Sequence, residues 1–150
     1  MLLEPVMSEI GPQSPDVVAV VRDGDDSWAV QFESGAVVNL ACRSAPARLE
    51  LMVRAGAAPP SSREDVLRAL LMFNFLSADT GGARMGLGTE GSAVYLIRDL
   101  PESAITKPAV QIAMQALVAV AGKWRHFLER VAAHPGDLPP LPPEALFNHA

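Results

Sequence analysis

Two glycine spacings, one cysteine, three histidines and an aspartate cluster are the residues whose type and spacing bear on chemistry. Gly86-Leu87-Gly88-Thr89-Glu90-Gly91 fits the pattern G-x-G-x-x-G. A dinucleotide fingerprint needs a helix directly after it, whose N-terminus holds the pyrophosphate. Ala93-Val94-Tyr95-Leu96-Ile97 follows instead, a strand-like run, so the pattern reads as a turn. Gly81 and Gly86 have phosphate-loop spacing, but Leu87 and Gly88 stand where lysine and Ser/Thr are needed. Cys42 falls on a predicted strand with every histidine beyond residue 125, and reads as a small buried hydrophobe without a base to activate it. No serine stands in a G-x-S-x-G elbow. His126 and His134 lie too far apart on one helix to chelate together and read as surface residues; with His149 they leave little material for a metal site. Asp23, Asp25 and Asp26 surround Gly24 like the start of a calcium loop. The glutamate about twelve positions after the first ligand is missing, so a solvated turn is predicted. Neither a catalytic set, nor a metal, nor a cofactor is predicted. Paired carboxylates carry no mark in a sequence, so an enzyme built on them stays a third alternative.

Composition sets the frame for the elements that would position such residues. The chain has 150 residues, 12 basic against 17 acidic, and a formal net charge of −5. One domain is expected. The acidic balance disfavours phosphate-rich partners such as nucleic acid, and anionic membrane surfaces. Apolar residues make up 49% of the chain, which excludes wholesale disorder. No apolar run reaches the ~18–20 residues that span a bilayer. Met1-Leu2-Leu3-Glu4 has an acid where a secretory signal has basic residues, and a lone cysteine suits a reducing cytosol.

The periodicities then order the elements. Leu2, Leu3, Val6, Met7 and Ile10 form one helical stripe, which Gly11-Pro12 is expected to stop. Residues 12–26 contain Val17-Val18-Ala19-Val20-Val21, readable as a strand or as more helix. Trp28, Val30 and Phe32 alternate with Ala29, Gln31 and Glu33. Ser34-Gly35 is a two-residue turn, and 36–42 the return strand of a hairpin. Leu49, Leu51 and Val53 mark a third strand. Ser61-Ser62-Arg63-Glu64-Asp65 predicts a capping box ahead of a helix over 66–76. Residues 83–88 and 92–98 read as a second hairpin, its second arm apolar throughout as in a strand buried on both faces. Thr106 caps a long helix whose seam is Val110, Met114, Leu117, Ala121, Trp124, Leu128 and Val131. The prediction is an α+β domain over 1–134, with an antiparallel sheet of about five strands flanked by helices in the order α-β-β-β-α-β-β-α. A proline-rich, extended tail follows over 135–150.

The apolar content is high for a sheet of this size. Fully burying one large aliphatic side chain is worth roughly 1.5–3 kcal/mol, so leaving several exposed is costly. A homodimer with a groove for a partner answers this, and so does a well-filled monomer core; composition does not choose between them. Leu70-Leu71-Met72-Phe73-Asn74-Phe75-Leu76, Gly81-Gly82-Ala83-Arg84-Met85-Gly86-Leu87, Val94-Tyr95-Leu96-Ile97 and Leu100-Pro101 follow one another in that order. With the Trp28–Phe32 hairpin and the Leu49–Val53 strand, they resemble the type III secretion chaperones of the CesT-type (Tir chaperone) family over roughly residues 1–132.

That resemblance implies a small, dimeric, cytoplasmic bacterial chaperone without ATPase activity of its own. Such a chaperone binds an extended N-terminal segment of a secreted effector and helps present it to the export ATPase. It implies effector-binding patches at Leu3, Val6, Met7, Ile10, Trp28, Val30, Val38 and Leu40. It implies a dimer interface at Leu67, Leu70, Leu71, Asn74, Met85 and Leu87. Each of these side chains reads equally well as core. Methionines at 7, 52, 72, 85 and 114 suit adaptable surfaces, and equally core gap-filling. Gly11-Pro12 departs from the family by shortening the first helix, and the tail has no counterpart role. The alternative is a small monomeric ligand-binding or regulatory domain with a pocket between sheet and long helix.

Overall fold

A computed structural model of the chain describes residues 3–14, 16–76 and 82–142. Leu2, Gly81, His149 and the tail from Pro143 onward lie outside the described residues. The described residues form helix α1 (Leu3–Gln13), strands β1 (Val17–Gly24), β2 (Ser27–Phe32), β3 (Val37–Ser44) and β4 (Ala47–Ala57), helix α2 (Arg63–Phe75), strands β5 (Arg84–Leu87) and β6 (Ala93–Pro101), and helix α3 (Lys107–Ala133). Every strand pairing is antiparallel, in the spatial order β1-β2-β3-β4-β6-β5. The architecture is the expected α+β one with a sixth strand added. Val17–Val21 is strand, because Val20 pairs with Val30 and Val21 with Ala29.

The register explains where the core sits. Val20, Val30, Val38, Val53, Leu96 and Met85 are successive cross-strand partners and make one row across all six strands. All but the half-buried Val20 are buried. Side chains two residues along share a face, so Leu40, Leu49 and Leu51 extend this covered side, each buried. Helix α3 lies across β4 and β6, α1 packs on β1 and α3, and α2 sits against β5. The Phe73 ring meets Trp124 edge-on at 5.6 Å and so ties α2 to α3. All three helices therefore cover one side of the sheet.

Several local expectations are corrected. Helix α1 runs through Gly11-Pro12 to Gln13, and the Ser14 N–H still reaches the Ile10 carbonyl at 3.2 Å. A proline costs one backbone donor, and in the last turn the surrounding bonds survive that loss. The β2–β3 connection is three residues: the Phe32 N–H donates to the Ala36 carbonyl at 2.9 Å, and Gly35 takes φ 89°. A positive φ at the third loop position needs glycine. The capping box does not form. Pro60–Ser62 is a short 3-10 turn, and Ser62 precedes α2 without a side-chain cap, its Oγ buried and unpaired. Thr106 does cap α3, accepting from the Ala109 N–H at 3.3 Å. Strand β6 is buried on one face only, since Tyr95 and Ile97 are half-exposed. The tail is irregular as far as it is described, yet Pro139 and Pro142 are buried and Leu141 packs against the core.

Candidate functional site

The residues whose types bear on chemistry are dispersed. Gly88–Gly91 is a turn: the Gly88 N–H donates to the Ala93 carbonyl at 2.7 Å, and Glu90 accepts from the Ala93 N–H at 2.8 Å. The aspartates are exposed, Asp23 at the end of β1 and Asp25 and Asp26 in the β1–β2 turn, where Arg22 donates to the carbonyls of Gly24 and Asp25. His126 and His134 are exposed. Burial pushes the Cys42 thiol above its ordinary pKa, with the carboxylates of Asp26 and Glu102 adding to the effect. The thiolate is disfavoured, which is the opposite of what a nucleophile needs. No group of three or more metal-ligating side chains stands together among the described residues. No helix among them is long and apolar enough to cross a membrane. The space between sheet and α3 is filled by Val30, Leu51, Met114, Leu117 and their neighbours. At its margin lies an open hollow of about 350 Å³ beside Asp16, Phe32, Glu33, Gln115 and Val118.

The effector-binding patch implied by the sequence is placed largely inside. Leu3, Met7, Ile10, Val30, Val38 and Leu40 are buried in the protomer's own core. The α1 stripe and the inward strand positions share the covered side of the sheet and close upon it. Val6 and Trp28 remain half-buried, and the Arg22 guanidinium lies 5.4 Å from the Trp28 ring.

The implied dimer surface divides in two. Leu70 and Met85 are core, and Leu67 and Leu87 are half-buried against it. Asn74 is committed internally: its Nδ2 donates to the Met85 carbonyl at 3.1 Å, and its Oδ1 accepts from the Met85 N–H at 2.7 Å. These bonds clamp the end of α2 to the edge strand β5. Leu71 faces outward, 69% exposed, beside Met72 at 51% and Phe75 at 88%. With Arg68 and Leu76 they line an apolar hollow of about 370 Å³. Met72 and Phe75 were not among the implied residues. The signal for them is the spacing Arg68, Leu71/Met72, Phe75, a second stripe opposite the buried Val66, Ala69, Leu70 and Phe73.

Among the described residues, the other side of the sheet carries no helix. Its central row runs Val21, Ala29, Asn39, Met52, Ile97 and Arg84 through successive pairings, and every member is at least partly exposed. At one end of this face, Glu50 pairs with Arg43 at 2.9 Å and Arg84 at 3.8 Å, and Asp99 pairs with Arg84 at 3.0 Å and Arg48 at 3.6 Å. Half-exposed pairs of this kind contribute little each, but they leave the adjoining Val21, Val37, Met52 and Ile97 as the apolar part of the face. Both sheet edges, β1 and β5, end the ladder.

Solved structures share this fold. The ExsC–ExsE complex contains a chain 16% identical, with a TM-score of 0.67 over 84% of this chain and 92% of that one. The HopA1–SchA chaperone–effector complex gives 18% identity and a TM-score of 0.65 over 83% and 93%. The heterodimeric ExoU–SpcU complex from the type III secretion system of Pseudomonas aeruginosa gives 14% and 0.63 over 87% and 99%. No curated protein sequence matches the chain. The model of the Tir chaperone protein (CesT) family matches residues 16–125, and the chain belongs to that family.

Proposed function

We propose that this protein is a homodimeric type III secretion chaperone of the bacterial cytoplasm, with no catalytic activity. It holds an N-terminal segment of a secreted effector in an extended, export-competent form. Family membership supports the reading, as does the fold it shares with a chaperone–effector complex. The observation that carries it is the division of the sheet: among the described residues three helices crowd one side, and the other is left open, with Val21, Met52 and Ile97 along its central row. An extended peptide satisfies such a surface, because it lays alternate side chains onto a face and its backbone onto an edge. The exposed Leu71, Met72 and Phe75 serve a different contact, the second subunit. Fully burying a large apolar side chain is worth roughly 1.5–3 kcal/mol, so covering what these three expose contributes part of what an isologous contact needs.

Affinity isolation of the tagged full-length chain from its native bacterium tests this. The expected result is a secreted protein retained in the complex, protected from protease over a segment near its N-terminus. Retention of no secreted protein, or protection confined to a folded domain, would contradict the proposal.

A further inference from the structure

Strand β4 overruns its neighbour. Its pairing with β3 begins at Val38↔Val53, while its pairing with β6 continues to Ala57↔Ala93. Beyond Val53 the β3-side edge of β4 therefore faces a notch of about 510 Å³ rather than a strand. The β4–β6 register shifts at this point, between Arg54 and Gly56, as it does at a β-bulge. Bulges re-aim the side chains around them and occur beside functional sites. Gly56 has φ 151°, and a Cβ there would stand 2.9 Å from Leu128 Cδ1, so the bend depends on glycine.

Two arginines line this notch from different layers, Arg54 on β4 and Arg125 on α3. Ser34, Asn39 and Tyr95 line it too, and no acidic residue is among its lining residues. Neither arginine has a carboxylate within ion-pair distance among the described residues, although the chain carries 17 acids against 12 bases. The other arginines of this face, Arg43, Arg48 and Arg84, all have such a partner. A guanidinium fork matches the two oxygens of a carboxylate. An interrupted strand edge beside the two arginines suits the backbone of an extended chain.

We propose that the notch binds a carboxylate side chain, Asp or Glu, of the extended client segment, and so sets where along the open face that segment lies. The proposal rests on the chaperone reading for its occupant. It adds a polar register point to a face otherwise able to accept many apolar sequences.

The test is a backbone-amide NMR titration of the full-length protein with the acetylated, amidated peptide Val-Glu-Val. The peptide Val-Gln-Val and inorganic phosphate are the comparison arms. The glutamate peptide is expected to shift Gly35, Asn39, Gly56 and Tyr95, with at least a tenfold weaker response to the glutamine peptide. The Arg54→Gln/Arg125→Gln variant should weaken glutamate-peptide binding at least tenfold, and Arg130→Gln, at an exposed position outside the notch, should leave it unchanged. Equal response to both peptides, shifts away from the notch, an unaffected double variant, or phosphate binding tenfold tighter than the glutamate peptide would overturn it. A client retained equally by wild type and double variant would overturn the notch and leave the chaperone reading standing. Failure of the wild type to retain any client would overturn that reading, with the peptide titration still deciding the notch.

Discussion

Helices α2 and α3 lie on the same side of one sheet and are both rich in large apolar residues, yet they spend them differently. Helix α3 turns Val110, Met114, Leu117, Trp124, Leu128 and Val131 into the core, and Ile112 is its one large hydrophobic left exposed. Helix α2 buries Val66, Ala69, Leu70 and Phe73, then presents Leu71, Met72 and Phe75 to solvent. Position is the cause. Helix α3 crosses the middle of the sheet and has neighbours along its whole seam, whereas α2 sits at the margin beside the short edge strand β5. The apolar excess visible in the composition is therefore concentrated at one margin and on the uncovered face, where a second chain can reach it.

The comparison breaks if α3 is not the internal helix. Trp124→Ala removes a ring that meets both Phe73 and Phe127 edge-on. It should cost about 3–5 kcal/mol in urea denaturation; a loss under about 1 kcal/mol would show that the site is not packed as described. The clamp between α2 and β5 comes next. Asn74→Ala leaves the Met85 N–H and carbonyl without their partners and should cost about 1–3 kcal/mol. It should also speed amide exchange in β5, and unchanged exchange there would place the clamp elsewhere.

Phe75→Asp sharpens the contrast from the α2 side. Because Phe75 is 88% exposed, the circular dichroism spectrum should stay that of wild type. The mass by light scattering should fall toward the 15.9 kDa of one chain; retention of a dimer would assign the interface to another surface. The smallest effect belongs to Cys42. Its thiol pKa is raised in the folded chain, so folding favours the protonated form. The stability this adds is fully present below the unfolded-state pKa and fades as pH rises through the folded one. Alkylation of native protein near neutral pH should be slower than that of the urea-unfolded chain, and equal rates would contradict the shift.

Much of this was legible in the residues, for identifiable reasons. The α3 seam, the Thr106 cap and the alternation Trp28-Val30-Phe32 are local patterns with a single geometric solution. Strand β1 was ambiguous because Val17–Val21 is an unbroken apolar run, and such a run carries neither period. Helix α1 outlasted Gly11-Pro12 because the signal treats proline as a stop, while the chain tolerates it in a final turn. The partner surfaces were the hardest to place. A stripe such as Leu3, Met7 and Ile10 reads the same whether it meets its own sheet or another molecule. The depth of the sheet, which no sequence period encodes, decided for the core. That Arg54 and Arg125 have no carboxylate partner among the described residues depends on which acids fold near them, and that is a property of tertiary structure alone.

The central claim is that the apolar surface left uncovered by one protomer, above all at Leu71, Met72 and Phe75, is occupied by a second copy of the chain. Light scattering on the purified wild-type protein tests it most directly. The account predicts a particle near twice 15.9 kDa. A soluble particle of one chain at every concentration measured, with α2 still exposed, would contradict it.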